Sequence, residues 1–182
     1  MAKAIAVAEY KTVSAGVTAA DAMLKAADVD VVEAATVCPG KYIIIITGEL
    51  SSVKAASDAA RVAYPEQHIG TFVLGNPHED LFDAIYGTAN IDKLNALGIL
   101  ETFDVASMLV AADNAAKTSE VKLIEMRLAR GMCGKSYLML TGEVAAVQAA
   151  IERAKSTAEN EGMYLDSSVI ARPDEKLLKS LI

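Results

Sequence analysis

Short apolar runs and stretches of helical period take turns along this chain, and the order in which they do so occurs twice. Residues 4–9 alternate Ile5 and Val7 with small residues and predict a first strand. Residues 12–15 read as a loop. From 16 to 27, Val17, Ala20, Met23, Leu24 and Ala27 fall three or four apart, the pattern of a helix that buries this face and exposes Asp21 and Lys25. Residues 29–36 predict a second strand, ending in the turn Val37-Cys38-Pro39-Gly40. Pro39 keeps Cys38 out of the helical region, and Gly40 admits backbone angles that a side chain resists. Residues 41–48 make the strongest strand, with isoleucine at each of 43–46, as expected where both faces are covered. Ser51 or Ser52 is expected to start a helix reaching about Tyr64, with Val53, Ala56, Ala59, Ala60 and Ala63 inward, and Pro65 stops it. Residues 70–75 predict a fourth strand, and Asn76-Pro77-His78-Glu79 lead into a short helix over 80–86. A polar connection, 87–93, follows.

The pattern then restarts. Ile5 falls on Leu97, Glu9 on Glu101, Ala19-Ala20-Asp21 on Ala111-Ala112-Asp113, Lys25 on Lys117 and Val29 on Val121. After a two-residue insertion, Gly40-Lys41 falls on Gly134-Lys135 and Thr47-Gly48-Glu49 on Thr141-Gly142-Glu143; after two more residues, Pro77 falls on Pro173. A period of about ninety residues means two copies of a small domain, expected at 1–92 and 93–182. Each copy is β-α-β-β-α-β with a short helix after it, which suggests the α+β, ferredoxin-like split βαβ sheet with two helices on one face. The first copy carries Cys38-Pro39 before its Gly-Lys; the second carries Met132-Cys133.

Bulk properties narrow the classes. The 182 residues are 53% hydrophobic with 5% aromatic, enough apolar mass for an Ala-rich core. A net charge of −7 without any basic block argues against nucleic acid. Two cysteines are too few for a disulfide framework. No run approaches the ~18–20 apolar residues of a membrane span, and Met1-Ala2-Lys3-Ala4 lacks the long apolar region of a signal peptide, so a soluble cytoplasmic protein without a membrane partner is expected. There is no Ser-His-Asp set, phosphate loop or catalytic carboxylate pair, so no enzyme activity is expected. His68 and His78 lack partners at metal-ligand spacing and read as surface residues.

The repeat resembles the bacterial microcompartment (BMC) shell domain. The matching residues are Gly98-Ile99-Leu100-Glu101-Thr102, the Ala-Ala-Asp-x-x-x-Lys helices at 19–25 and 111–117, the Gly-Lys strands ending in Thr-Gly-Glu, and Arg172-Pro173. They span nearly the whole chain in both copies. Two tandem BMC domains imply a homotrimer imitating a hexamer, tiles that pack with other BMC shell proteins, and a shell enclosing enzymes, among them redox partners. The resemblance makes the loops before the Gly-Lys strands pore-lining: Cys38, Pro39 and Gly40 in one copy, Met132, Cys133 and Gly134 in the other. It assigns tile-edge contacts to Lys25, Lys117 and Arg172; Asn76 stands where the first copy would carry the arginine.

Within the family, Cys-Pro-Gly-Lys in the first pore loop looks like the tandem shell proteins of propanediol-utilisation compartments, in which the matching cysteine binds an iron–sulfur cluster. Alone, Cys38 reads as a small apolar residue at a strand end, and one cysteine per chain falls short of a cluster's usual four. A threefold oligomer brings three thiolates together, enough for a [4Fe-4S] cluster with one iron left to another ligand. The expected function is therefore a structural shell tile whose cluster-bearing pore moves electrons, or the cluster itself, across the shell. Two alternatives stay open: a tile with a passive metabolite pore, and a small-molecule-binding α/β regulator. The helix pairs Asp21/Lys25 and Asp113/Lys117 also read as plain i,i+4 ion pairs.

Overall fold

A computed structural model describes residues 3–91, 94–174 and 176–177. The chain forms two compact units, Met1–Pro77 with Arg130–Gly134, and His78–Ala129 with Lys135–Ile182.

The first unit contains β1 (Lys3–Tyr10), α1 (Val13–Ala26), β2 (Asp30–Val37), β3 (Lys41–Glu49), α2 (Leu50–Ala63) and β4 (His68–Gly75). Its strands form one antiparallel sheet in the order β2-β3-β1-β4, the split βαβ arrangement. Every second residue of β1 (Ala4, Ala6, Ala8, Tyr10) joins Ile44 and Ile46 of β3 in one core with Ala19 and Met23 of α1 and Val53, Ala56 and Ala60 of α2. Small side chains on β1 let the helices lie close to the sheet. Ile43 to Ile46 are all fully buried, so both faces of β3 are covered, and each such side chain contributes about 1.5–3 kcal/mol. The Tyr10 hydroxyl donates to the Ala60 carbonyl and ties β1 to α2.

The second unit contains α3 (Asp80–Tyr86), β5 (Ala96–Thr102), α4 (Val105–Thr118), β6 (Val121–Leu128), β7 (Ser136–Gly142), α5 (Val144–Asn160) and β8 (Tyr164–Ile170). Its sheet has the order β6-β7-β5-β8, again antiparallel. The registers carry the repeat residue by residue: Ile5 pairs with Thr47 and Leu74, and Leu97 pairs with Thr141 and Ile170. They also locate the two-residue insertion. Thr36 pairs with Tyr42 and Leu128 with Ser136, so the extra residues lie in the β6–β7 loop.

Thr-Gly-Glu recurs for a structural reason. The Thr47 and Thr141 hydroxyls donate to the carbonyls of Ala4 and Ala96, 2.9 and 2.8 Å away, clamping the two central strands. A Cβ on Gly142 would lie 2.9 Å from the Glu120 carbonyl, so the preceding loop passes too close for a side chain. Glu49 and Glu143 are the N-cap residues of α2 and α5.

Several local expectations are corrected. α1 starts at Val13, so the segment expected as a loop is its first turn. Its buried residues are Ala15, Gly16, Ala19 and Met23, whereas Val17 and Leu24 are exposed. The helix carries two apolar stripes, and the one with Ala15, Gly16 and Ala19, small enough for close approach, meets the sheet together with Met23. α2 starts at Leu50, not at Ser51 or Ser52, and Ser57 is buried where Ala59 and Ala63 are only partly so. The Ser57 hydroxyl is satisfied by the Val53 carbonyl at 2.7 Å. His68 lies in β4, half-buried, with its ring edge against Tyr10 and Nε2 2.6 Å from the Thr71 hydroxyl. Burial and the Arg61 charge lower its pKa. His78 is also half-buried, and its backbone N–H donates to Asp113.

The two cores differ by exchanges of size. In the first unit Gly16 lies against the buried ring of Tyr42; at the matching positions the second unit has Met108 and Ser136, both fully buried. A methyl group on Gly16 would run into the Tyr42 ring. Gly16→Ala is expected to lower stability by about 1–3 kcal/mol in urea unfolding at fixed protein concentration, and to cost measurably less when Tyr42 is already Ser.

Candidate functional site

The β2–β3 turn and the Arg130–Gly134 part of the β6–β7 loop meet in the first unit. β2 and β3 stay paired up to Val37 and Lys41, which leaves Cys38, Pro39 and Gly40 as the tip. Gly40 has φ 104°, and its N–H donates to the Val37 carbonyl at 2.9 Å. The Cys38–Pro39 peptide is cis. The second loop is rich in left-handed backbone: Ala129, Gly131, Cys133 and Gly134 have φ of 58, 68, 54 and 88°. A Cβ on Gly134 would sit 3.5 Å from the Cys38 carbonyl, and this packing joins the two loops.

Thr36, Val37, Cys38, Pro39, Gly40, Arg130 and Gly131 line an open depression of about 390 Å³. Cys38 is partly exposed there, Pro39 and Gly40 are exposed, Met132 is half-buried, Cys133 is exposed and Gly134 is buried. Both thiols are free. Arg130 Nη2 lies 2.5 Å from Glu33 Oε1, a contact of charge without hydrogen-bond alignment. The β2 carboxylate therefore anchors the second loop's cation at the depression that Cys38 also lines. Arg130 and Glu33 are absent from the expected site. The available signal was the insertion itself, because Arg130 sits in the segment with extra residues. Lys41, at the start of β3, pairs with Glu9 of β1 at 2.8 Å.

Among the described residues no three His, Cys, Asp or Glu side chains come together as a metal-binding group. One chain offers two free thiols, Cys38 partly exposed and Cys133 exposed, which fall short of a cluster's usual four ligands. The expected tile-edge residues lie elsewhere. Lys25 is exposed and pairs with Asp21 at 2.6 Å; Lys117, less exposed, pairs with the buried Asp113 at 2.7 Å. Arg172 is exposed just beyond β8.

The BMC domain family model matches residues 4–77 and again 96–173. The bacterial microcompartment shell protein PduT of Citrobacter freundii is 35% identical over 182 residues, 100% of this chain and 99% of that one. This chain belongs to the BMC shell proteins. The carboxysome assembly protein CcmO of a Synechococcus strain is 29% identical, covering 99% of this chain and 69% of that protein. A crystal structure of a microcompartments protein from Desulfitobacterium hafniense superposes with a TM-score of 0.95 at 40% identity, covering 98% of this chain and 99% of that one. The fused permuted shell protein MSM0275 shares the fold, with a TM-score of 0.62 at 20% identity over 87% of this chain and 84% of that one. The BMC loops described above are thus those of a tandem-domain shell protein. No helix among the described residues is long and apolar enough to cross a membrane.

Cys133 holds a left-handed conformation that disfavours a side chain, and it is exposed. Cys133→Gly is expected to leave stability unchanged or raise it by about 0.5–1 kcal/mol in urea unfolding.

Proposed function

We propose that this BMC shell protein is a homotrimeric tile whose six domains surround a central pore, and that three copies of Cys38 hold a [4Fe-4S] cluster there. The observation that carries the reading is the depression in which a partly exposed Cys38 lies at the tip of one repeat's turn and beside the loop of the other. Full-length similarity to PduT supports the tandem tile and a compartment of the propanediol-utilising kind.

Three chains supply three thiolates, and the fourth iron takes a ligand from outside this set. When bound, the cluster supplies one-electron transfer. The protein's part is to hold the thiol. Pro39 stiffens the tip, Gly40 keeps side-chain bulk away, and the Glu33–Arg130 pair holds the second loop at the depression that Cys38 lines. Encapsulated redox enzymes are the partners such a relay would serve, and other shell proteins meet the tile at Lys25, Lys117 and Arg172. The family assignment favours a tile over a small-molecule regulator.

Purified without oxygen, the protein should sediment as a trimer, be brown, absorb at about 400 nm and contain iron and sulfide. Cys38→Ser should remove colour and iron and leave the trimer. A colourless, iron-free trimer would sink the cluster and leave the passive pore; a monomer or dimer would sink the tile.

A further inference from the structure

The two units carry the same helix-and-edge-strand face, and only one is covered. In the second unit Val105, Leu109 and Ala116 of α4 and Leu123 of β6 are 1, 0, 8 and 0% exposed. Their counterparts in the first unit, Val13, Val17 and Leu24 of α1 and Val31 of β2, are 43, 52, 46 and 40% exposed. The residues stay apolar while their burial is reversed. A bare apolar face that its sister keeps buried is a face awaiting a partner.

The covering of the second unit shows what kind of partner. The segment that follows β4 lies over α4 and β6. The His78 N–H donates to Asp113 at 2.8 Å, Leu81 and Ala84 are fully buried, and Asp80 receives Lys122 Nζ at 2.8 Å and the Leu123 N–H at 3.4 Å. Asp83 stands 3.8 Å from the same Lys122 amine. The Asp80 carboxylate raises the Lys122 pKa, mainly through that hydrogen bond.

The counterpart of this segment is 174–182, reached through Pro173 as α3 is reached through Pro77. Leu81 becomes Leu177 and Ile85 becomes Leu181, so two apolar positions persist, while the small buried Ala84 becomes the small Ser180. The charges invert. Asp80 becomes Lys176, Asp83 becomes Lys179, and on the receiving strand Lys122 becomes the exposed Asp30. The sheet registers make this last equivalence structural, since Asp30 pairs with Thr47 and Lys122 with Thr141. Reversal on both sides of a contact preserves attraction. It also discriminates, because α3 would set two carboxylates against Asp30 and 174–182 would set two amines against Lys122.

We infer that the exposed α1–β2 face of the first unit is the docking site for residues 174–182 of a second copy of this chain, with Asp30 paired to Lys176 and Lys179 of that copy. This rests on the trimeric reading and deepens it, because it names the contact that closes the ring. A bound neighbour would cover Val17, Leu24 and Val31 as α4 and β6 are covered now.

A zero-length carbodiimide, which joins a carboxylate to an amine only where they touch, should link the wild-type protein into dimers and trimers on a denaturing gel. Peptide mapping should find Asp30 joined to Lys176 or Lys179. Asp30→Lys should shift sedimentation from trimer towards monomer, and Lys176→Asp with Lys179→Asp in the same chain should restore the trimer. An Asp30 link confined to single chains would overturn the inference in favour of the chain's own segment. A wild-type trimer that keeps its size in Asp30→Lys and yields no such link would overturn it while the tile stands. A wild-type protein that does not associate would overturn both.

Discussion

A helix with apolar residues on two sides needs two covers, and among the described residues α1 finds only one. Ala15, Ala19 and Met23 meet the sheet, while Val13, Val17 and Leu24 face outward. In the second unit the matching outer residues are buried, so this surface belongs to the domain's plan. The chain is built with one satisfied and one unsatisfied copy of the same face. That imbalance makes association the way to remove the remaining apolar surface from water. A closed ring is the arrangement in which every copy both gives and receives the contact. The proposed pore would depend on the same condition, since a single chain presents one Cys38.

Duplication also explains how the two halves differ without losing the fold. The clamp from Thr47 and Thr141 to the first strands and the close approach at Gly142 are fixed by backbone geometry, so those residues recur. Core volume is freer. Tyr42 over Gly16 fills the space that Met108 beside Ser136 fills in the other copy, and Ser57 with Ala6 matches Ile151 with Gly98. Each exchange changes both members of a facing pair rather than one residue alone, as dense packing requires. The loops are freest, and there the copies part most: a short Cys-Pro turn in one, a longer loop with left-handed residues in the other.

The element order, the repeat and the buried isoleucines of β3 were legible because alternation and helical period report directly on burial. The Cys38 turn was legible as unusual because its chemistry appears in one copy alone. Period cannot rank two apolar stripes on one helix, so the larger Val17 and Leu24 were expected inside, where closeness of approach in fact selected alanine and glycine. His68, at a strand start, reads from sequence as a surface residue because its partners, Tyr10 and Thr71, are set by the sheet register. Arg130 was not visible as part of the site because its partner Glu33 lies far away in sequence.

In the proposed tile, assembly brings the Cys38 turns of different chains together. Spin labels placed on Cys38, in protein carrying Cys133→Ser, measure that directly through the dipolar coupling between chains. One short inter-chain distance, equal for all pairs, is expected, and it should vanish when labelled protein is diluted into an excess of unlabelled protein. Labels that show no coupling in the undiluted protein would contradict it.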